Sequence, residues 1–343
     1  MKSVLIRFVF LLSVAMPAAA QDRPFSSVAM REDFQFLRRQ LFHAHANPFS
    51  VWTKEKYENY LDSLESGLNK PLSAAAFRQQ AALALLPLGD EHAAVSLRQA
   101  AGAAKGPQWA DSVATNIQYR RSGRTGYILA RSFATRGSQD LTLYQHCIDR
   151  VFARIRRDGI TRLVIDVSAN DGGASAVGTM LINYIREKPY QSYSMNWRRS
   201  DEYLARMTSW GFHDEAYQKL APGEVVRFPS RTVTPETTLN PFTGKVIVVI
   251  GPGTFSSAIL FATLVQDNKM AKLAGLSPEN GHPSHFGEMY SVVLPNTGLE
   301  LRFGVKEWIR PKGRGEINKL LPDMPCRLPD DGDFTKLLKQ LPW

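Results

Sequence analysis

Apolar residues recur at helical spacing in three successive segments near the start of the chain. The first segment ends at Asn47-Pro48, and the second covers about 54–68. The third begins at Ser73, a residue type that caps helices, and ends at Pro87. Because each segment carries one apolar stripe, we predict a module of packed helices at this end of the chain.

The pattern changes after residue 125, where short buried strands alternate with amphipathic helices. The predicted strands are 127–129, 163–167 and 246–250, and the predicted helices are 140–157, 174–186 and 256–267. This alternation predicts an α/β layer with a mostly parallel sheet. Residues 290–303 are expected to form a hairpin that turns at 295–298.

These patterns divide the chain into four parts. The predicted parts are a signal peptide (1–20), an N-terminal helical module (21–98), a linker (99–125) and a core (126–343) that contains an irregular insertion at about 188–240.

The first twenty residues have the features of a cleavable export signal. Lys2 and Arg7 precede a short apolar stretch, and Ala18-Ala19-Ala20 resemble a cleavage site. The apolar stretch is short for a membrane span, which favours cleavage over a retained anchor, and we expect no transmembrane segment after cleavage. The sequence therefore predicts an exported protein of the periplasm or the extracellular space.

Composition narrows the function further. With 44% hydrophobic and 22% charged residues, the chain can build a substantial core. The net charge is +10, but the basic residues are scattered and export argues against a nucleic-acid partner. No metal or nucleotide motif occurs, so no metal or cofactor is expected. The sequence leaves open whether Cys147 and Cys326 form a disulfide, and it does not indicate the oligomeric state.

Two strand-to-helix junctions carry candidate chemistry. The first is Asp166–Gly173, where Gly172 and Gly173 could leave backbone N–H groups free for an oxyanion. The second is Gly251–Ala258, where Ser256 could be presented as a nucleophile at a helix start. Taken singly, an ordinary turn explains the first junction and a helix cap explains the second.

A serine nucleophile needs a base. His92 stands in a turn after the helical module, and His282 and His285 lie in a Gly/Pro-rich loop beyond Ser256. Residue types alone do not decide among these three histidines.

Taken in order, the segments resemble the tail-specific (C-terminal-processing) and tricorn-type serine peptidases, a superfamily that includes interphotoreceptor retinoid-binding protein. The matching residues are Asp90-Glu91-His92, Gly126-Tyr127-Ile128, Phe133, Asp166, Asn170, Gly172-Gly173, Phe242, Gly244-Lys245, Thr254–Ala258 and Leu321-Pro322-Asp323.

The resemblance implies a fold and a set of roles. It implies a ClpP/crotonase-like core with an N-terminal helical cap, and the short distance from His92 to Gly126 leaves no room for a PDZ domain. Ser256 would be the nucleophile, His92 its base and Glu316 the carboxylate behind the base. The oxyanion hole would be formed by N–H groups of Gly172 or Gly173 and of Ser256 or Ser257. The implied substrate is a polypeptide, and the implied enzyme is a serine-type peptidase (hydrolase).

The chain departs from the family pattern at several positions. The region that carries the lysine base of the C-terminal-processing branch contains His282 instead. Asp171 puts a negative charge in the glycine turn, and Phe255 replaces a small residue before the serine. Two alternatives therefore stand beside the peptidase: a catalytically silent ligand-binding protein of this fold, and an esterase or amidase that acts on a non-protein substrate.

Overall fold

The computed structural model describes residues 24–98, 110–236, 240–315, 318–329 and 332–343 of the 343-residue chain. The predicted signal peptide lies outside these ranges. Within them, none of the helices has both the length and the apolar character that a bilayer span requires.

Three capped helices form the N-terminal part, as the apolar pattern predicted. They are α1 (Ser27–Ala44), α2 (Lys54–Ser66) and α3 (Ala74–Leu83). The hydroxyl oxygens of Ser26, Thr53 and Ser73 each accept a backbone N–H from the first turn of the following helix, which satisfies a donor that has no partner within the helix. The predicted cap at Ser73 is thereby confirmed.

The main sheet has six strands, flanked by the helices that join them. In chain order its elements are α4 (Ala110–Asn116), β2 (Ile117–Ser122), β3 (Thr125–Ala130), α5 (Ser138–Arg157), β4 (Arg162–Asp166), α6 (Ser175–Ile185), β9 (Lys245–Ile250), α9 (Ser257–Asp267), β10 (Lys272–Gly275), β13 (Met324–Pro325) and α10 (Phe334–Gln340). The strand order is β13-β10-β9-β4-β3-β2, and only the β2–β3 pair is antiparallel.

Both faces of the main sheet are covered, which explains why its central strands are continuous apolar runs. On β4, Ile165 faces the core formed with α5, α6 and α9, whereas Val164 faces α10. Cys147 belongs to the first of these cores and Cys326 packs against the second. The two cysteines are free, because the sheet separates them.

A second, antiparallel sheet packs against the N-terminal helices. Its strands are β1 (Ala94–Leu97), β6 (Ser194–Arg198), β7 (Val225–Phe228), β11 (His285–Val293) and β12 (Leu299–Ile309). β12 pairs with β11 along its length on one side, and with β1 and then β6 on the other. Phe303 and Val305 of β12 bury their side chains against α1–α3 in a shared core.

The architecture is therefore mixed α/β rather than one mostly parallel layer. The predicted hairpin at 290–303 is present and longer than expected. The predicted helical module (21–98) ends in β1, which belongs to the second sheet. The described part of the predicted linker (99–125) contains α4 and β2, so the expected boundary at 126 cuts the β2–β3 pair.

The predicted insertion (188–240) is also more regular than its sequence suggested. It contributes β5 (Tyr190–Gln191), β6, α7 (Asp201–Ser209), α8 (Glu215–Gln218), β7 and β8 (Thr232–Val233). Within it β5 pairs with β8 and β6 with β7, and β6 also pairs with β12 more than a hundred residues further along the chain. No local pattern reports such partners.

Candidate active site

Ser256 stands at a sharp elbow between the end of β9 and the start of α9. Its backbone has φ 50° and ψ −122°, a conformation that costs free energy in a residue with a side chain. The Ser256 side chain does not cap α9. The alternative that this serine is an ordinary helix cap therefore does not hold, and its hydroxyl, at the positive end of the helix dipole, has no hydrogen-bond partner among the described residues.

The elbow is fastened to the end of β4 by backbone hydrogen bonds. The N–H of Gly253 donates to the carbonyl of Ser168 (3.1 Å), and the N–H of Phe255 donates to the carbonyl of Asn170 (2.9 Å). Because Phe255 immediately precedes the serine, the second bond fixes the approach of the chain to Ser256.

Two hydroxyls complete this attachment. Thr254 Oγ1 donates to the carbonyl of Val167 (2.8 Å) and accepts the N–H of Gly251 (2.9 Å). Ser257 Oγ donates to the carbonyl of Gly173. The two junctions that the sequence singled out are therefore one interlocked unit.

The glycine turn lies directly against the serine. A Cβ added to Gly172 would stand 2.7 Å from Cβ of Ser256, and one added to Gly173 would stand 2.2 Å from the backbone of Phe133. Both glycines have positive φ, 96° and 133°. Only residues without a side chain allow this close approach.

The hydrogen bonds of the turn distinguish the candidate oxyanion donors. The N–H of Gly172 donates to Asn170 Oδ1 (2.8 Å), so it is occupied. The carbonyl of Gly172 accepts from Phe133 N–H (2.9 Å), and in a planar trans peptide the N–H of Gly173 points the opposite way. Within the described residues, the N–H groups of Gly173 and Ser257 have no acceptor. The geometry thus favours Gly173 and Ser257 over Gly172.

Asp171 is held on the solvent side of the turn. Its side chain is exposed, and Oδ1 accepts a hydrogen bond from the Ser132 hydroxyl (3.2 Å). Water screens an exposed carboxylate, so its effect on an oxyanion is weaker than its position in the sequence suggested.

His92 lies beside the residue that precedes the serine. Its ring centroid is 4.7 Å from that of Phe255, and no hydrogen bond joins Ser256 to His92. Burial lowers the pKa of His92 below its usual value of 6.5, although the Asp90 carboxylate opposes this shift. The imidazole is therefore neutral at neutral pH, the state that a general base requires.

The two rival histidines occupy different surroundings. His285 is buried 5.9 Å from His92 between ring centroids, and burial lowers its pKa to about 4. His285 Nδ1 is 2.9 Å from the carbonyl of His282. His282 is half-exposed and pairs through Nδ1 with the Glu91 carboxylate. Burial and Lys319 lower the pKa of His282.

Two carboxylates are candidates for the group behind the base. Glu316, predicted for this role, lies outside the described residues. Asp90, which the sequence supplied only as part of a motif, has its Oδ1 3.8 Å from His92 Nδ1. No group of three or more metal-type ligands occurs in the described parts of the chain.

Comparison with known proteins identifies the family. The sequence profile of Peptidase family S41 matches residues 124–326, more than half of the chain. The chain therefore belongs to peptidase family S41. The match spans both junctions of the candidate site, but it begins after His92. No curated protein sequence matches the chain significantly.

Solved structures of other proteins are similar to this S41 chain over nearly its whole length. A Parabacteroides merdae structure described as a peptidase has a TM-score of 0.60 and 16% identity, and covers 90% of this chain and 92% of its own. Mature CPAF has a TM-score of 0.60 and 11% identity, with coverages of 91% and 96%. The photosystem II D1 C-terminal processing protease has a TM-score of 0.51 and 13% identity, with coverages of 91% and 96%. At these identities the likeness shows a shared fold.

Proposed function

We propose that this S41 chain is an exported serine peptidase that hydrolyses peptide bonds by acyl transfer. Ser256 Oγ attacks the substrate carbonyl carbon while His92 takes the hydroxyl proton. The N–H groups of Gly173 and Ser257 bind the oxyanion, and His92 then gives the proton to the leaving amine nitrogen. Water hydrolyses the acyl-enzyme with His92 again acting as the base.

One observation carries this proposal, namely the strained elbow at Ser256 pressed against the glycine turn. A backbone conformation that costs about 1–3 kcal/mol persists only where its surroundings enforce it, and such strain concentrates at functional sites. Here the elbow keeps the Ser256 side chain out of the helix cap and against Gly172. The N–H groups of Gly173 and Ser257, the residues that follow Gly172 and Ser256 in the chain, have no acceptor among the described residues. A purely structural turn needs neither feature.

The proposal requires His92 to move towards Ser256. No hydrogen bond joins the two residues, and catalytic hydrogen bonds often shorten only when substrate is bound. Rotation of the His92 ring off Phe255 is the motion that we expect.

A covalent probe tests the nucleophile directly. We expect an alkyl fluorophosphonate to label the purified protein once, on Ser256, and Ser256→Ala to abolish the labelling. Ser209→Ala, at an exposed helical serine, is the matched control and should label like the parent. Absence of labelling in well-folded parent protein would rule out the serine hydrolase.

The wider setting belongs to the same proposal. We propose that residues 1–20 are removed on export to the periplasm or the extracellular space. The core around β4 and β9 is proposed to be of the ClpP/crotonase-like type, with α1–α3 as a helical cap and without a PDZ domain. Mass spectrometry of the exported protein should find a new N-terminus at Gln21.

The packing of His92 against Phe255 favours one rival function. Because the His92 imidazole packs against an apolar ring and is not hydrogen-bonded to Ser256, the arrangement also suits a catalytically silent ligand-binding protein. Labelling that depends on Ser256 would exclude that rival. Turnover of a peptide library against short-chain esters then separates a peptidase from an esterase or amidase.

A further inference from the structure

Asp90 is a buried carboxylate whose polar neighbours converge from three parts of the fold. Its Oδ1 accepts the N–H of His92 (2.9 Å), and its Oδ2 accepts the N–H of Gly304 on β12 (2.8 Å). Nε2 of His45, the residue that ends α1, is 3.3 Å from Oδ2. The side chains of Asp90 and His45 are wholly inaccessible to solvent.

The tautomer of His45 follows from its other nitrogen. The N–H of Asn47 donates to His45 Nδ1 (3.1 Å), so in the neutral ring the proton is on Nε2, which faces Asp90. Burial alone would raise the pKa of Asp90, but the His45 imidazole 3.3 Å away and the hydrogen bonds from the N–H groups of Gly304 and His92 outweigh it, and the pKa is lowered. Asp90 is therefore a buried anion.

The ring of His92 presents an unused nitrogen to this anion. Nδ1 of His92 is buried, lacks a hydrogen-bond partner among the described residues, and lies 3.8 Å from Asp90 Oδ1. An anion on this side favours a proton on Nδ1, which leaves Nε2 as the basic nitrogen. It also stabilises the imidazolium that forms when His92 takes a proton.

We infer that Asp90, held by His45, is the positioning residue for His92, and that it connects α1 and β12 to the base. This inference rests on the proposed function. Asp90 acts through His92 and touches no substrate. Among the described residues, the other titratable or polar groups that act on the His92 imidazole are His285, the Phe286 backbone and the exposed Arg302, none of which carries a negative charge.

The test measures the rate of fluorophosphonate labelling as a function of pH. Asp90→Asn should lower the maximal rate about 10²- to 10⁴-fold, the scale typical of a carboxylate behind a catalytic histidine. It should also move the acid limb to lower pH by about one unit, because removing an anion lowers the pKa of His92. A merely structural role would not move that limb.

Asp33 provides a matched control. It is equally buried and accepts hydrogen bonds from the backbone N–H groups of Asn296 and Thr297 and from the Thr297 hydroxyl, on the turn between β11 and β12. Asp33→Asn should lower the melting temperature as Asp90→Asn does, but leave the acid limb in place.

His45 variants decide the matter if Asp90→Asn does not fold. His45→Gln keeps an N–H donor and should retain the parent profile, whereas His45→Ala should move the acid limb in the same direction as Asp90→Asn. An unmoved limb in folded Asp90→Asn or His45→Ala would overturn the inference, as would a limb that moves only in Glu316→Gln. Labelling lost in Ser256→Ala would still support the proposed function in each of these cases.

Discussion

The two sides of the candidate site are built differently. On the serine side, hydrogen bonds from Gly253, Thr254, Phe255 and Ser257 tie the elbow to the first junction. On the histidine side, the backbone N–H of His92 donates to Asp90, but the imidazole ring packs on Phe255 and its Nδ1 has no hydrogen-bond partner among the described residues. On the proposed function, a fixed nucleophile would therefore work with a base whose ring can move, and activity should depend on rigidity on one side and on charge on the other.

Removal of the base is the strongest test of this contrast. His92→Ala should lower the labelling rate about 10³- to 10⁶-fold, because a serine hydroxyl is a weak nucleophile without a base. His282→Ala removes an imidazole from the same corner and should change the rate less than about 10-fold. Labelling kinetics that spare His92→Ala and lose His282→Ala would reverse the assignment.

A methyl group in the glycine turn should disturb the position of Ser256. Gly172→Ala places a Cβ 2.7 Å from Cβ of Ser256 at a φ of 96°, so either the turn or the elbow must move. Because either movement displaces the N–H of Gly173 or of Ser257, we expect the labelling rate to fall about 10²- to 10³-fold, the scale for a lost oxyanion donor.

Gly123→Ala is the control for that substitution. Gly123 also has a positive φ, 56°, but nothing lies within 4 Å of its added Cβ. It should cost about 1–2 kcal/mol of stability, measured by urea unfolding, and keep the parent labelling rate. Equal rate losses in the two alanine variants would mean that backbone strain, rather than contact with Ser256, explains the effect.

Thr254 tests the attachment of the elbow. Thr254→Val leaves the N–H of Gly251 without its acceptor, which should cost about 1–3 kcal/mol of unfolding free energy. Thr179→Val, at an exposed threonine of α6, should cost less than about 0.5 kcal/mol. A Thr254→Val protein as stable as the parent would show that the attachment is not rigid.

The smallest expected effect is on the pH dependence of labelling in the parent protein, which reports the pKa of His92. The base works when neutral, so labelling is lost as the pH falls through the pKa of His92. Since burial lowers that pKa below 6.5, the rate at pH 6.5 should exceed half of its maximum. A midpoint above pH 6.5 would contradict a buried His92 as the base.

The sequence predicted the parts of this molecule whose signals are local. Helix caps such as Ser73, the apolar strands β4 and β9, and the two glycine- and serine-rich junctions each carry their pattern within a few residues. The family followed from the order of such patterns.

Long-range pairing escaped prediction. The second sheet joins β1 and β6 to β12, more than a hundred residues away in sequence, and β1 and β6, with four and five residues, are too short to be diagnostic alone. The sequence offered Asp90 only as part of a motif, because its contacts with Gly304 and His45 depend on the folded structure. Likewise, the sequence offered Gly172 as an oxyanion donor because it does not reveal that the N–H of Gly172 donates to Asn170 Oδ1.

The hydrogen bond from Gly304 to Asp90 also affects when the candidate site can form during folding. During synthesis the His92 turn emerges long before β12, and pairings so distant in sequence form slowly. A chain that has not yet placed Gly304 lacks one of the donors that hold Asp90 as an anion. On the proposed function, Ser256, His92 and Asp90 therefore come together only when nearly all of the chain has folded, and peptide hydrolysis should begin only then.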